Sequence, residues 1–142
     1  MPKNFTIRKA SKEDLKDICD LQNHHILNTD DIYSEEVKRP AELEDWFNTQ
    51  SRLNFPILLA ELDGSFAGFA RYSDFRKRPC YRSTVEHSVY LKAEYKSKGL
   101  GAALMKELFK IAQSNQVHGM MGGIDSKNLG SIAFHQKLGF KE

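Results

Sequence analysis

The segment Val89-Tyr90-Leu91-Lys92-Ala93-Glu94-Tyr95-Lys96-Ser97-Lys98-Gly99-Leu100-Gly101-Ala102 constrains this chain most. Within it an alternating apolar run gives way to a polar turn, then two glycines, then a helical pattern. Glycine lets the backbone turn tightly and approach a ligand closely. The N–H groups of a helix's first turn lack intrahelical partners, and the positive end of the dipole stands behind them. A strand feeding into such a helix start forms a cradle for a pyrophosphate. The same glycines also suit a plain strand-to-helix turn. The pattern G-x-G-x-x-G fails because Leu104 stands where its third glycine belongs, and no G-K-S/T ending is present.

The surrounding periodicity predicts the order β-α-α-β-β-β-α-β-α. A first strand at residues 5–8 is followed by Ser11 as an N-cap with Asp14 three residues on. Leu15, Ile18, Leu21 and Ile26 then give a helix one apolar face, fraying before Asn28. Pro40 suits the first position of a second helix, with Leu43, Trp46, Phe47 and Leu53 on its buried side. Residues 56–62 and 66–73 read as strands joined through Asp63-Gly64, a strong hairpin signal. Further strands are expected at 83–91 and 117–124. Helices are expected from Gly99 and over 131–138, the last closed by Gly139. Hairpins followed by a β-α-β unit imply a mixed α/β sheet in one domain, 1–142.

Composition narrows the function. With 142 residues there is room for a proper core. The net charge of +2 gives no reason to expect a nucleic-acid or membrane partner, which needs a clustered basic face. Arg76-Lys77-Arg78 is short enough to be a solvated loop. Cys19 and Cys80 form no C-x-x-C pair, which argues against a disulfide or zinc scaffold and for a reducing cytoplasm. Neither an apolar run of transmembrane length nor a signal-peptide pattern is present. The five histidines show no metal spacing.

Lys96-Ser97-Lys98-Gly99-Leu100-Gly101 resembles motif A of the GNAT superfamily, Arg/Gln-x-x-Gly-x-Gly/Ala, with Lys96 in the first place. The run from Asn128 through Leu129-Gly130-Ser131-Ile132-Ala133-Phe134-His135-Gln136-Lys137-Leu138-Gly139 to Phe140 resembles its motif B. Thr84-Val85-Glu86-His87-Ser88-Val89-Tyr90, Leu27-Asn28-Thr29, Tyr72-Ser73-Asp74-Phe75-Arg76 and Tyr81-Arg82 are similar to the phosphinothricin and methionine sulfoximine acetyltransferase group. The resemblance implies the GNAT fold, acetyl-CoA as co-substrate, no metal, and acetylation of a small amino-acid-like amine by a homodimer. It also implies a cofactor site from Val89, Tyr90, Leu91, Lys96, Ser97, Lys98, Gly99, Leu100, Gly101 and Asn128. In that family two further strands follow the Gly-Phe, whereas this sequence ends at Phe140-Lys141-Glu142. The expectation is a sheet lacking those two strands, from a shortened chain or with a second subunit supplying the missing wall.

Acetyl transfer requires a neutral amine, yet an alkylammonium near a pKa of ~10.4 is protonated at neutral pH, so a base is needed. Glu86 is the candidate by its family position, sharing a strand face with Thr84, Ser88 and Tyr90. His135 stands where many relatives place the tyrosine that protonates the departing thiolate. His24, His25, His87 and His118 read as structural or surface residues. The thioester oxygen would be met by a backbone N–H at Val89 or its neighbours. Arg76 and Arg82 are candidates for an acceptor carboxylate, with Phe75 and Tyr81 as pocket walls. The rival readings are an acetyltransferase for another amine (polyamine, aminoglycoside or protein N-terminus) and a non-catalytic CoA-binding module.

Overall fold

A computed structural model describes residues 4–28, 39–74, 84–96, 98–122 and 129–141, the side chains of 25–28 excepted. The chain runs β1 (Phe5–Lys9), α1 (Leu15–Asn28), α2 (Pro40–Arg52), β2 (Ile57–Leu62), β3 (Ser65–Asp74), β4 (Thr84–Leu91), α3 (Leu100–Ser114), β5 (Gly119–Gly122) and α4 (Leu129–Lys137). Single 3₁₀ turns lead into α1 and follow β4. The expected element order holds. Among the described residues the sheet has five strands in the order β1-β2-β3-β4-β5, antiparallel up to β4, with β4 and β5 parallel.

Local chemistry explains the element ends. Ser11 and Asp14 form the reciprocal capping box, and Pro40 opens α2. Asp63 and Gly64 both adopt positive φ, as a two-residue hairpin with matching twist requires. Arg8 makes a fork to Asp14 (2.8 and 2.9 Å) and also donates to Glu61 (2.7 Å). This ties β1, the entry to α1 and β2 together. Some expected bounds differ from the structure: β5 starts at Gly119 rather than Val117, and α4 starts at Leu129 rather than Ser131. Helix α1 continues through Asn28. Leu53 is the C-cap of α2 and nearly half exposed, because the helix ends before its apolar face returns to that position.

The sheet separates two cores. Ile18, Cys19, Leu21 and Leu43 of α1 and α2 pack with Ile57, Leu59, Phe66 and Phe69 on one face. On the other, Leu100, Leu104, Met105, Leu108 and Ala112 of α3 pack with Leu58, Ala60, Ala67, Ala70, Tyr72 and Val85. Near Ala67 the register jumps, with Ala60 opposite Gly68 and Glu61 opposite Phe66. Such a bulge sharpens the local twist of β3. Gly68 lies against the end of β4, where a Cβ would strike the Tyr90 carbonyl oxygen. The close approach of the two strands there depends on that glycine.

Candidate active site

Among the described residues, strands β4 and β5 pair in parallel from Thr84↔Gly119 to His87↔Gly122. β4 runs four residues further, still paired with β3 as far as Gly68↔Leu91. Beyond His87 it leads through Lys92 and a 3₁₀ turn to the start of α3.

Gly99 is the N-cap of α3, at φ +84° in the left-handed region, with no side-chain cap and no acidic residue in the first turn. Leu100, Gly101 and Ala102 begin a helix whose first N–H groups have no intrahelical acceptor. Lys96 and Lys98 are exposed beside it. A phosphate-bearing ligand fits this position: donors, dipole and cations agree, and no carboxylate of the first turn competes. The two glycines divide the work. Gly99 supplies the turn. Gly101 is buried, and a Cβ there would come within 3.2 Å of the Phe134 ring, so its absent side chain lets α4 approach α3.

Alternation along β4 puts Glu86, Ser88 and Tyr90 on the face of α1 and α2, where Tyr90 packs on Phe69 with ring centroids 5.2 Å apart. Val85, His87, Val89 and Leu91 face α3 and α4. Glu86 is half-buried. His135 is buried on α4, and its Nε2 lies 2.9 Å from Nε2 of His87. Thus Glu86 and His135 lie on opposite faces of the sheet at β4. The structure joins His135 to His87 instead.

His87 was not singled out by sequence reasoning, since a lone histidine in a strand carries no motif. Only the packing of α4 across β4 reveals its partner. Its Nδ1 is 3.0 Å from the Met121 carbonyl oxygen. Burial, then the neighbouring His135, push its pKa down to about 4, and Arg71 acts in the same direction. Of the other candidates, Val89, Tyr90 and Leu91 lie at the end of β4. Phe75, Arg76, Tyr81, Arg82, Ser97 and Asn128 lie outside the described residues. Among the described residues no group of three His, Cys, Asp or Glu could hold a metal ion.

A strand that leads through a short turn into a helix start without a side-chain cap is a fold that can hold a phosphate-bearing ligand. The chain matches the Acetyltransferase (GNAT) family over residues 21–140. It is 38% identical, over 96% of its length and 80% of the relative's, to an L-methionine sulfoximine/L-methionine sulfone acetyltransferase from Pseudomonas aeruginosa. It superimposes with a TM-score of 0.92 at 34% identity on a GNAT superfamily phosphinothricin acetyltransferase from Sinorhizobium meliloti in complex with acetyl-CoA, covering 98% of this chain and 76% of that one. A ribosomal-protein-alanine N-acetyltransferase from Brucella melitensis also matches, with a TM-score of 0.92 at 34% identity and coverage of 96% and 85%. The chain belongs to the GNAT acetyltransferase family, and acetyl-CoA-dependent transfer to an amine is its chemistry.

Proposed function

We propose that the acceptor is the amine of a small amino-acid-like molecule of the methionine sulfoximine or phosphinothricin type. The observation carrying this reading is the strand β4, with Glu86 on it, leading into the helix start at Gly99 that has no side-chain cap. The relatives' acceptors supply the substrate class. When bound, acetyl-CoA supplies the acetyl group as a thioester. The N–H groups at Leu100, Gly101 and Ala102, with Lys96, Ser97 and Lys98, would hold its phosphates, and Asn128 would meet the pantetheine arm. A backbone N–H at Val89, Tyr90 or Leu91 would stand at the thioester oxygen.

In this reading Glu86 takes a proton from the acceptor's ammonium, directly or through one water, and His135 is the acid on the other face. Arg76 and Arg82 hold the acceptor's carboxylate while Phe75 and Tyr81 wall the pocket. Residues 1–142 act as one domain, and the enzyme works as a homodimer in the cytoplasm. No helix among the described residues is long and apolar enough to cross a membrane.

The Brucella neighbour makes a peptide N-terminus the second reading. A thiol-release assay with acetyl-CoA separates the two. Methionine sulfoximine and phosphinothricin should be acetylated, while their decarboxylated amines should lose roughly ten- to a hundredfold in kcat/KM with one charge-assisted contact. Preference for an alanine-terminated peptide would overturn the small-molecule reading. Acetyl-CoA binding without turnover of any amine would leave a CoA-binding module.

A further inference from the structure

His87 and His135 are both buried, and each of their four ring nitrogens has a partner within hydrogen-bond distance. Nδ1 of His87 is 3.0 Å from the Met121 carbonyl oxygen, and Nδ1 of His135 is 2.7 Å from the Ser131 carbonyl oxygen. A carbonyl only accepts, so both Nδ1 atoms carry protons. The neutral form of each ring then has a bare Nε2, and those two atoms are 2.9 Å apart. Two lone pairs at that distance repel; one proton between them makes a charge-assisted hydrogen bond. The contacts therefore add up to three protons on four nitrogens and one positive charge.

We propose that His87 and His135 form one acid–base unit that holds a single shared proton between their Nε2 atoms, with His87 the positioning residue that keeps His135 in that state. The surroundings act in both directions: burial and Arg71 of β3 disfavour positive charge on His87, and the hydrogen bond to the Met121 carbonyl favours it. β5 presents the Met121 carbonyl and Gly122, and the chain after α4 presents the Phe140 ring, 5.1 Å from His87 and 5.2 Å from His135. Ser131 Oγ, 3.4 Å from His135 Nδ1, offers the second arrangement. If that hydroxyl donates to Nδ1, His135 becomes the Nε2–H form and the pair holds two protons, with the opposed lone pairs moved from the two Nε2 atoms to Nδ1 and the Ser131 carbonyl oxygen. The unit thus has a three-proton and a two-proton state that differ by one proton and a small rotation at Ser131.

The use of that proton in acetyl transfer rests on the function proposed above, but its existence does not. Histidine ring ¹⁵N spectra of the full chain should show both Nδ1 atoms protonated at pH 7, with the two rings titrating as a coupled unit. In His87→Leu the protonation constant of the remaining ring should fall at least tenfold. In His87→Gln, whose amide oxygen can accept from Nε2–H, most of it should return. A bare Nδ1 on either ring at pH 7, or independent titration of the two, overturns the shared proton. In the acetylation assay, the kcat–pH profile of His87→Leu should shift with the ring titration, and His87→Gln should restore it. An unmoved profile in a folded, active variant overturns the positioning role and leaves the acetyltransferase reading standing. Failure of the wild type to acetylate any amine overturns that reading, while the ring spectra still decide the pair.

Discussion

Gly122 stands opposite His87 across the parallel strands, so close that a Cβ at position 122 would lie 2.8 Å from Cε1 of the imidazole. The ring is met by the Met121 carbonyl and His135 at its two nitrogens and by the tilted ring of Phe140. The glycine is therefore a spacer for the histidine rather than a source of backbone freedom.

Gly122→Ala should accordingly cost about 1–3 kcal/mol, the usual range for overpacking a filled site. Gly119→Ala, three residues earlier on the same strand, meets only Thr84 Oγ1 at 3.3 Å and should cost less. Urea denaturation of both variants checks the difference. Equal losses would show that β5 merely resists side chains in general.

The two glycines at the start of α3 should fail differently. Gly99→Ala forces a β-carbon into the left-handed region, a strain of about 1–2 kcal/mol. Gly101→Ala meets the Phe134 ring at 3.2 Å, so its cost should shrink in a Phe134→Leu background, whereas that of Gly99→Ala should not. A double-mutant cycle read by thermal unfolding measures this. Calorimetry with acetyl-CoA should show weaker binding for Gly99→Ala in the folded protein.

Acid should weaken the fold in two stages. His87 is pushed down to about 4, so between there and an unfolded value near ~6.5 the unfolded chain binds more protons. Stability should therefore fall as pH drops through that window, and His87→Gln should flatten it. Asp14 is held below the usual carboxylate range by the Arg8 fork, against some loss from burial. Its contribution is present above the unfolded value of ~3.9 and fades as pH falls through the lower folded one. Asp14→Asn should cost on the order of 1.5–3 kcal/mol at pH 7, as for a lost hydrogen bond to a charged group, and less at pH 3. Denaturation midpoints across pH 3–7 test both stages.

The fold was legible because its signals are local. Asp63-Gly64 sets a hairpin, Ser11 and Asp14 close a capping box, Pro40 opens a helix, and the shift from period 2 to period 3.6 at Gly99 marks the cradle. The site was legible only in part. Motif spacing pointed to His135, but its partner lies 48 positions away in sequence, across the packing of α4 on β4. Gly101 belonged to the right motif for a further reason, its contact with Phe134, that no one-dimensional pattern carries. Strand alternation already implied that Glu86 and His87 point to opposite faces. Which face α4 covers was not in the pattern.

That separation bears on how the proton work is divided. Glu86 lies on the α1/α2 face of β4, whereas His135 and its partner His87 lie on the α3/α4 face. Groups on opposite faces make no common hydrogen-bond chain, so their mutational effects on rate should multiply rather than saturate. Glu86→Gln keeps the shape but cannot accept a proton. It should lower kcat/KM at neutral pH by roughly 10²–10⁴-fold, most for amines of high pKa. His135→Ala should slow turnover by its own factor, and the double variant should approach the product of the two. A pH–rate profile for wild type and the three variants, with a confirmed acceptor, is the measurement. A double variant no slower than the worse single would place both residues in one relay. If Glu86→Gln keeps the wild-type rate and the same ascending limb, the base lies elsewhere and Glu86 only packs the strand.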